Sequence, residues 1–592
     1  MLDLSAPFVL LDDAREGGVP ARLYQAPVRI IEARMISAVL PALADIQAAS
    51  AHGLHAVGYL SYEAAAAFEP VLEPPKPSST PLLWFGLFEA FDIIACEDVA
   101  QLLPDPAGAW IGAPLPAIDQ TDYEARLRQI LALIEAGDLY QANLTFPAEV
   151  RFEGDPLAVY AQLRARSRAG FGAVVHSGSQ TILSFSPELF FALEAGRLTC
   201  KPMKGTARRG DTPQADQAAI AALVGDPKQR AENLMIVDLT RNDLSRVAQP
   251  GSVAVPRLFE IETYPTVHQM VSTVTARIAE GKDAINVIQA LFPCGSITGA
   301  PKIRAIETLA QIEAAPRGIY TGAIGRIDPV GDATFNVAIR TLTITAGSDH
   351  ARFATGGGIV AESQALAEWD ETQAKGAFLT AGQRAFDLIE TMAFDPTTGI
   401  PLLERHLARM KTSADRFGFP FDRHAVRNEL QAAAFRLHVP SKVRLLLAPR
   451  GAIAIETAAM PSAIPAPVRV AIVPLPVGNQ DFRLRHKTSN RGFYDAPRQR
   501  SGQFEVVFTD HDGWLTEGSF TSLFVRQGDG LVTPPLSRGL LPGVLRAELI
   551  ETGKAIEGDL KPADLSNGFL IGNALRGLIP AVMVAPQQTP RL

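Results

Sequence analysis

The sequence predicts a mixed α+β protein with more than one domain, and three observations carry that reading. At 592 residues the chain exceeds what one compact core holds, which sets a prior of about two to four domains. Helical and strand periodicities are interspersed along it. A short, turn-rich junction near Gly376–Arg384 separates two such alternations, the second starting at Phe386. The expected domains are therefore residues 1–378 and 379–592.

Individual elements follow from local pattern. Leu127, Ile130, Leu131 and Ile134 recur at helical spacing within Tyr123–Ala136, and Gly137 is a natural stop. Val174–Ser186 and Asn336–Thr345 are apolar and β-branched, as strands are. Ile303, Ile306, Leu309 and Ile312 predict a helix after Gly299-Ala300-Pro301, with Thr298 as its cap and the proline in its first turn. Pro-rich stretches at 70–81 and 104–116 read as surface connections.

Composition narrows the function classes. Hydrophobic residues at 47% and charged residues at 20% fit a globular protein in water. A net charge of −8 gives no basic stripe for nucleic acid. No run of eighteen apolar residues appears, so no membrane span is expected. Cys96, Cys200 and Cys294 are too scattered for a disulfide framework and suit a reducing compartment. The start of the chain shows no signal-peptide pattern, and the expected location is cytoplasmic.

Reactive residue types concentrate in a few motifs. Glu188 stands in Ser-Pro-Glu, sixteen residues before Lys204 in Pro-Met-Lys-Gly-Thr. Glu232 opens a long polar-apolar run, and Glu368 and Glu371 share a face if their stretch is helical. Spacing alone favours ordinary solvated helix charge for these glutamates, although paired carboxylates also suit Mg²⁺. Lys204 taken alone reads as a solvent-facing lysine in a Gly-Thr turn.

Longer motifs choose among these readings. Gly58–Glu63, Gly137–Leu144, the Glu188 and Lys204 motifs, Glu232–Asp243, His268–Ser272, Phe292–Lys302 and Gly356-Gly357-Gly358 together resemble the chorismate-utilising enzymes over roughly residues 50–378. The resemblance implies an α/β sandwich of large antiparallel sheets. It implies that Glu232 and Glu371, with Glu368 close by, hold Mg²⁺ on a substrate carboxylate. Gln141, Thr206, His268, Tyr320, Arg340, Gly356, Gly357 and Lys375 are implied to contact chorismate, Arg340 through a bidentate fork. Two positions divide this family by reaction. Relatives that form anthranilate usually carry alanine where Lys204 stands, whereas a lysine amine there can attack the ring while Glu188 protonates the departing hydroxyl. Isochorismate and salicylate synthases place a water-activating lysine where this chain has Gln141, and an amide cannot deprotonate water.

The second half resembles class IV pyridoxal-phosphate enzymes of the D-amino-acid aminotransferase-like fold. The resemblance rests on Phe386–Met392, Leu403–Leu407, His486–Arg491, Thr516–Ser519, Leu541–Val544 and Asn573–Gly577. It implies that Lys487 anchors pyridoxal 5'-phosphate and moves a proton, that Glu517 pairs with the pyridine nitrogen, and that Arg405, Gly543 and Val544 receive the phosphate. Ser522 stands where many relatives have asparagine. A homodimer through this half is the expected assembly.

The combined expectation is a bifunctional enzyme of 4-aminobenzoate synthesis for folate, joining an aminodeoxychorismate synthase component I-like half to a 4-amino-4-deoxychorismate lyase-like half. No glutaminase signature appears, so ammonia is expected from a separate glutamine amidotransferase subunit or from solution. The alternatives are an anthranilate synthase-like half fused to an amino-acid transaminase, and a non-catalytic scaffold. Lys204 counts against the former, and retention of every reactive group counts against the latter.

Overall fold

The computed structural model describes residues 2–264 and 267–584. The chain divides into two compact units. The first runs through Leu103, then Ile111–Phe152 and Val159–Ala381. The second takes Pro104–Trp110, Glu153–Ala158 and the chain from Gly382 onward, so two short segments fall outside any single cut along the sequence.

The first unit is built on two large antiparallel sheets. In one, Gln141–Glu153 pairs with His350–Ile359, followed by Thr341–Thr345, Gln180–Ser186, Phe171–His176 and Phe8–Asp12. In the other, Met203–Arg208 lies beside Val267–Arg277, followed by Arg197–Cys200, Leu189–Glu194, Ala333–Val337, Ala323–Ile327 and His55–Leu60. Val9, Tyr24, Ala173, Val175 and Ile182 of the first sheet pack in one core with Val57, Tyr59, Trp84 and Ile324 of the second. Alternate residues of each strand face this shared layer. Helices cover the outer faces: Ile36–Ala51 and Ala284–Leu291 pack on the second sheet, Gln120–Glu135 and Lys302–Ile312 on the first.

Local structure departs from the sequence pattern at three places. Val174–Ser186 is a hairpin of two strands, because Gly178 at φ +92° turns the chain between them. Asn336–Thr345 is likewise interrupted, with Arg340 at φ +51° between Ala333–Val337 and Thr341–Thr345. The helix after Pro301 begins at Lys302 without a side-chain cap, since the Thr298 hydroxyl donates instead to Cys294 O and Gly295 O.

The second unit has a three-stranded sheet of Leu388–Phe394, Ser441–Leu447 and Ile453–Ala459, and an eight-stranded mixed sheet. Helix Leu403–Phe417 buries His406, Leu407, Met410, Ser413, Ala414 and Phe417. That stripe has helical period, and it faces the small sheet. In Ser441–Leu447, Val443, Leu445 and Leu447 are buried, while Lys442, Arg444 and Leu446 point to the half-open face.

One buried charge network ties the first unit together. Arg317 is only 5% exposed. It donates to both oxygens of Glu313 at 2.8 and 2.9 Å, and to the carbonyls of Asn143 and Ile297 at 2.7 and 3.1 Å. Its own N–H donates to Glu63 at 2.6 Å. Removing one partner of such a pair strands the other charge. Arg317→Met is therefore expected to cost about 3–5 kcal/mol in denaturant unfolding of the first unit. A loss of under about 1 kcal/mol, the value of a solvated pair, would contradict this.

Candidate active sites

In the first unit, the strand carrying Lys204 is deformed. Its pairing with Val267–Arg277 shifts register between Met203 and Thr206, and Gly205 sits at φ +105°. The irregularity takes Lys204 out of simple alternation. Its carbonyl is held by Asn233 Nδ2 at 3.2 Å, and Ser272 Oγ in turn donates to Asn233 Oδ1 at 2.6 Å. The Lys204 ammonium lies 3.5 Å from Glu232 on helix Pro227–Ser245, and Lys228 reaches the same carboxylate at 4.0 Å.

Glycine on the other sheet makes room for this lysine. A Cβ on Gly358 would stand 2.7 Å from Lys204 Nζ and 2.8 Å from Gln141 Nε2. Any side chain at 358 therefore displaces the lysine or the amide. Gln141 is fully buried, and neither its Nε2 nor its Oε1 has a partner among the described residues. A buried amide left unpaired beside an ammonium is a group awaiting a polar ligand.

Carboxylates surround the lysine. Glu188 is 4% exposed and accepts a 2.7 Å hydrogen bond from Ser296 Oγ. Burial pushes its carboxyl up to about 7, against the opposing pull of the Ser296 bond and the Lys204 charge. Glu368 and Glu371 lie on helix Ala365–Gly376, one turn apart. Burial raises Glu368, which accepts from Ser363 Oγ at 2.7 Å. Glu371 is exposed, and the charges of Lys375 (2.8 Å away) and Lys204 hold it below the usual range. Lys375 donates as well to Gly356 O at 2.7 Å, and a Cβ on Gly357 would meet Glu368 at 3.2 Å.

Lys204 thus shares the electrostatic field of Glu188, Glu232, Glu368 and Glu371. Among the described residues no three carboxylate, imidazole or thiol groups gather tightly enough to enclose a metal ion. The donor set still fits Mg²⁺, which takes hard oxygen ligands and commonly only one or two protein carboxylates beside water.

The remaining expected contacts divide. Arg340 makes no ion pair among the described residues; burial lowers its guanidinium, with Tyr264 opposing, so it is open to an anionic ligand. Tyr320 is buried in the field of Arg317. Thr206 is exposed and donates to Gln269 Oε1 at 2.9 Å. His268 requires correction as a substrate contact. It is fully buried, with Nε2 2.8 Å from Asp216 and Nδ1 2.9 Å from Thr263, so both ring nitrogens are engaged within the protein. Sequence reasoning missed Ser296 and Ser363, because a serine beside a carboxylate in space leaves no mark in sequence spacing. Gly358 belongs to the Gly356-Gly357-Gly358 motif, but its nearness to Lys204 and Gln141 is visible only in three dimensions.

The second unit holds an open cavity of about 520 Å³ lined by Lys487, Glu517, Arg409, Ser522, Gly543 and Val544 among others. Burial pushes the Lys487 amine down to about 7, and Arg409, Arg491 and Arg444 add to this while Glu390 opposes it. The Lys487 carbonyl accepts from Ile389 N–H at 2.9 Å, which fixes the lysine beside strand Leu388–Phe394. Glu517 is 5% exposed and accepts from Tyr494 OH at 2.5 Å and from Leu541 N–H at 2.8 Å. Burial pushes Glu517 up to about 7.

Arg405 is a second correction. Its guanidinium is locked to Glu548 at 2.8 Å and Glu551 at 2.7 Å and does not line the cavity. Arg409, one turn later, does line it. That side chain binds both oxygens of Glu390 at 2.8 and 2.6 Å and donates to Pro542 O at 3.0 Å, directly before Gly543. Gly543 caps helix Val544–Glu551, and Ser522 Oγ lies 2.5 Å from where a Cβ at 543 would sit. Arg409, Ser522 and the start of this helix fit a phosphate, and Glu517 fits a pyridine N–H, so the residues suit pyridoxal phosphate.

With this geometry established, comparison defines the class. The chain belongs to the chorismate binding enzyme family, whose model matches residues 23–381. Residues 387–584 match the class IV amino-transferase model, a class that implies pyridoxal phosphate. The chain is 44% identical over 251 residues to aminodeoxychorismate synthase component 1 of Salmonella typhimurium (strain LT2), a match covering 42% of this chain and 55% of that protein. It is 36% identical over 305 residues to anthranilate synthase component 1 of Haloferax volcanii, covering 50% and 58%. The chain thus spans little more than half the length of these curated relatives. Its fold is shared with the crystal structure of anthranilate synthase component I from Streptococcus pneumoniae TIGR4, at a TM-score of 0.52 and 23% identity over 64% of this chain and 93% of that one.

Two expected outcomes test the first site. Gly358→Ala should lower turnover at this site about a hundredfold, the scale of a misplacement near 1 Å, and unchanged steady-state kinetics would contradict the close approach. If Glu188 works as an acid, its protonated form must be lost as pH rises through about 7. The pH profile of kcat/KM should therefore lose slope as pH passes about 7, whereas a slope unchanged through neutral pH would contradict the role.

Proposed function

We propose that the chain converts chorismate and ammonia to 4-amino-4-deoxychorismate in its first unit, and that compound to 4-aminobenzoate and pyruvate in its second. The observation carrying the first half is Lys204 set among four glutamates with Glu188 buried and half-protonated near neutral pH. The Lys204 amine forms a bond to ring C2. The C4 hydroxyl departs with a proton from Glu188 as water. Ammonia then bonds to C4 and Lys204 leaves C2, restoring the amine. Gln141 and Arg340 bind polar groups of the ring substrate, Arg340 a carboxylate. Glu232 and Glu371, with Glu368 beside them, would hold Mg²⁺, which would neutralise a second carboxylate.

In the second unit, pyridoxal phosphate supplies an electron sink when bound. Lys487, an amine near 7, takes the proton from C4 of the substrate. Glu517 holds the pyridine end and Arg409 the phosphate end. Loss of the C3 ether as pyruvate aromatises the ring, which makes the step effectively irreversible. We further propose that a separate glutamine amidotransferase subunit supplies ammonia, that the second unit forms a homodimer, and that the product serves folate synthesis in the cytoplasm.

The direct test is product identification after incubation with chorismate, ammonium, Mg²⁺ and pyridoxal phosphate. The proposal expects 4-aminobenzoate, and anthranilate as the aromatic product would overturn it. Lys487→Ala should consume chorismate at a near-normal rate while 4-amino-4-deoxychorismate accumulates. Added EDTA should stop chorismate consumption but leave the cofactor's absorption unchanged; activity surviving chelation would remove the metal from the scheme.

A further inference from the structure

The cavity of the second unit carries more positive charge than its own acids balance. Lys442, Arg444, Arg491 and Arg576 line it together with Lys487 and Arg409, while the acids on its wall are Asp495 and Glu517. Arg409 is neutralised by Glu390. Asp495 stands 3.7 Å from another wall cation, Arg498. Glu517 bears only part of a charge near neutral pH, because burial raises it. A bound phosphate contributes about two negative charges. Several cations are then still unmatched.

Their placement is informative. Lys442 and Arg444 stand two apart on strand Ser441–Leu447, so they share a face about 7 Å apart. Arg444 is in register with Thr391, which also lines the cavity, and its charge reaches Lys487. Its ion pair with Glu456, at 3.4 Å with the carboxylate side chain 60% exposed, is of the weak solvated kind. Arg576 follows strand Phe569–Asn573 and borders the same cavity. Neither Lys442 nor Arg576 forms an ion pair among the described residues.

We infer that Lys442 and Arg444 on the strand, and Arg576 on the turn, are receptors for two separate carboxylates of one amine substrate. The unit is thereby selective for dianionic amines over amino acids with one carboxylate. This rests on the proposed lyase reading and deepens it, since a ring derived from chorismate keeps two carboxylates until pyruvate leaves. An amino acid with a neutral side chain would leave one cationic group of the cavity without its carboxylate, and that is the source of discrimination.

The test uses the full chain loaded with pyridoxal phosphate, and reads ligand binding by the shift in cofactor absorption. The probes are benzoate, with one carboxylate, and isophthalate, with two. Isophthalate should bind at least about tenfold more tightly, the scale of one added charge-assisted contact. Arg444→Gln and Arg576→Gln should each bring the two probes to near parity while retaining the cofactor spectrum. Equal binding by the unaltered protein overturns the inference, and so does full preference in both variants. Product analysis separates this from failure of the parent reading. Release of 4-aminobenzoate together with equal probe binding sinks the receptor assignment alone. Amino-acid transamination without 4-aminobenzoate release sinks the lyase reading.

Discussion

The first active site depends on one close approach, that of the Gly358 backbone to the Lys204 ammonium and the Gln141 amide. The three residues come from three strands: Gln141 and Gly358 from paired strands of one sheet and Lys204 from the other sheet. A Cβ at 358 would push the ends of the Lys204 and Gln141 side chains aside. The deformed Lys204 strand supplies the amine, helix Pro227–Ser245 supplies Glu232, helix Ala365–Gly376 supplies Glu368 and Glu371, and Glu188 directly precedes strand Leu189–Glu194.

The two lysines stand in opposite surroundings. Lys204 faces four glutamates, whereas Lys487 sits in a cavity whose nearest charges are mostly arginines. Burial and those arginines disfavour the Lys487 cation, which leaves its amine able to give up and recover a proton near neutral pH. Glu188 and Glu517 show the converse: burial without a full-strength cationic partner leaves each carboxyl near 7. One can then act as a proton donor and the other as a partner for a ring nitrogen.

Much of this was legible in the sequence. The alternation of apolar residues marked the helix at Gln120–Glu135 and the one at Lys302–Ile312, and the long motifs pointed to Lys204, Glu188, Lys487 and Glu517. What was lost depended on backbone turns and spatial neighbours. Gly178 and Arg340 break runs that look like single strands, because β-branched composition persists through a tight turn. His268 sits in a motif yet is engaged by Asp216 from a helix more than fifty residues earlier, a pairing that no local pattern encodes. Arg405 and Arg409 occupy adjacent turns of one helix, and only the positions of Glu548, Glu551 and Glu390 decide which arginine reaches the cavity.

The central claim is that Lys204 bonds covalently to the ring. The most direct measurement is mass spectrometry of the Lys204 peptide after rapid quenching of protein, chorismate and Mg²⁺ without ammonia. Covalent attack predicts a peptide heavier by chorismate less one water, with the modification on Lys204 and absent from Lys204→Arg. An unmodified peptide under conditions where added ammonium supports turnover would contradict the account, and would leave direct addition of ammonia as the route.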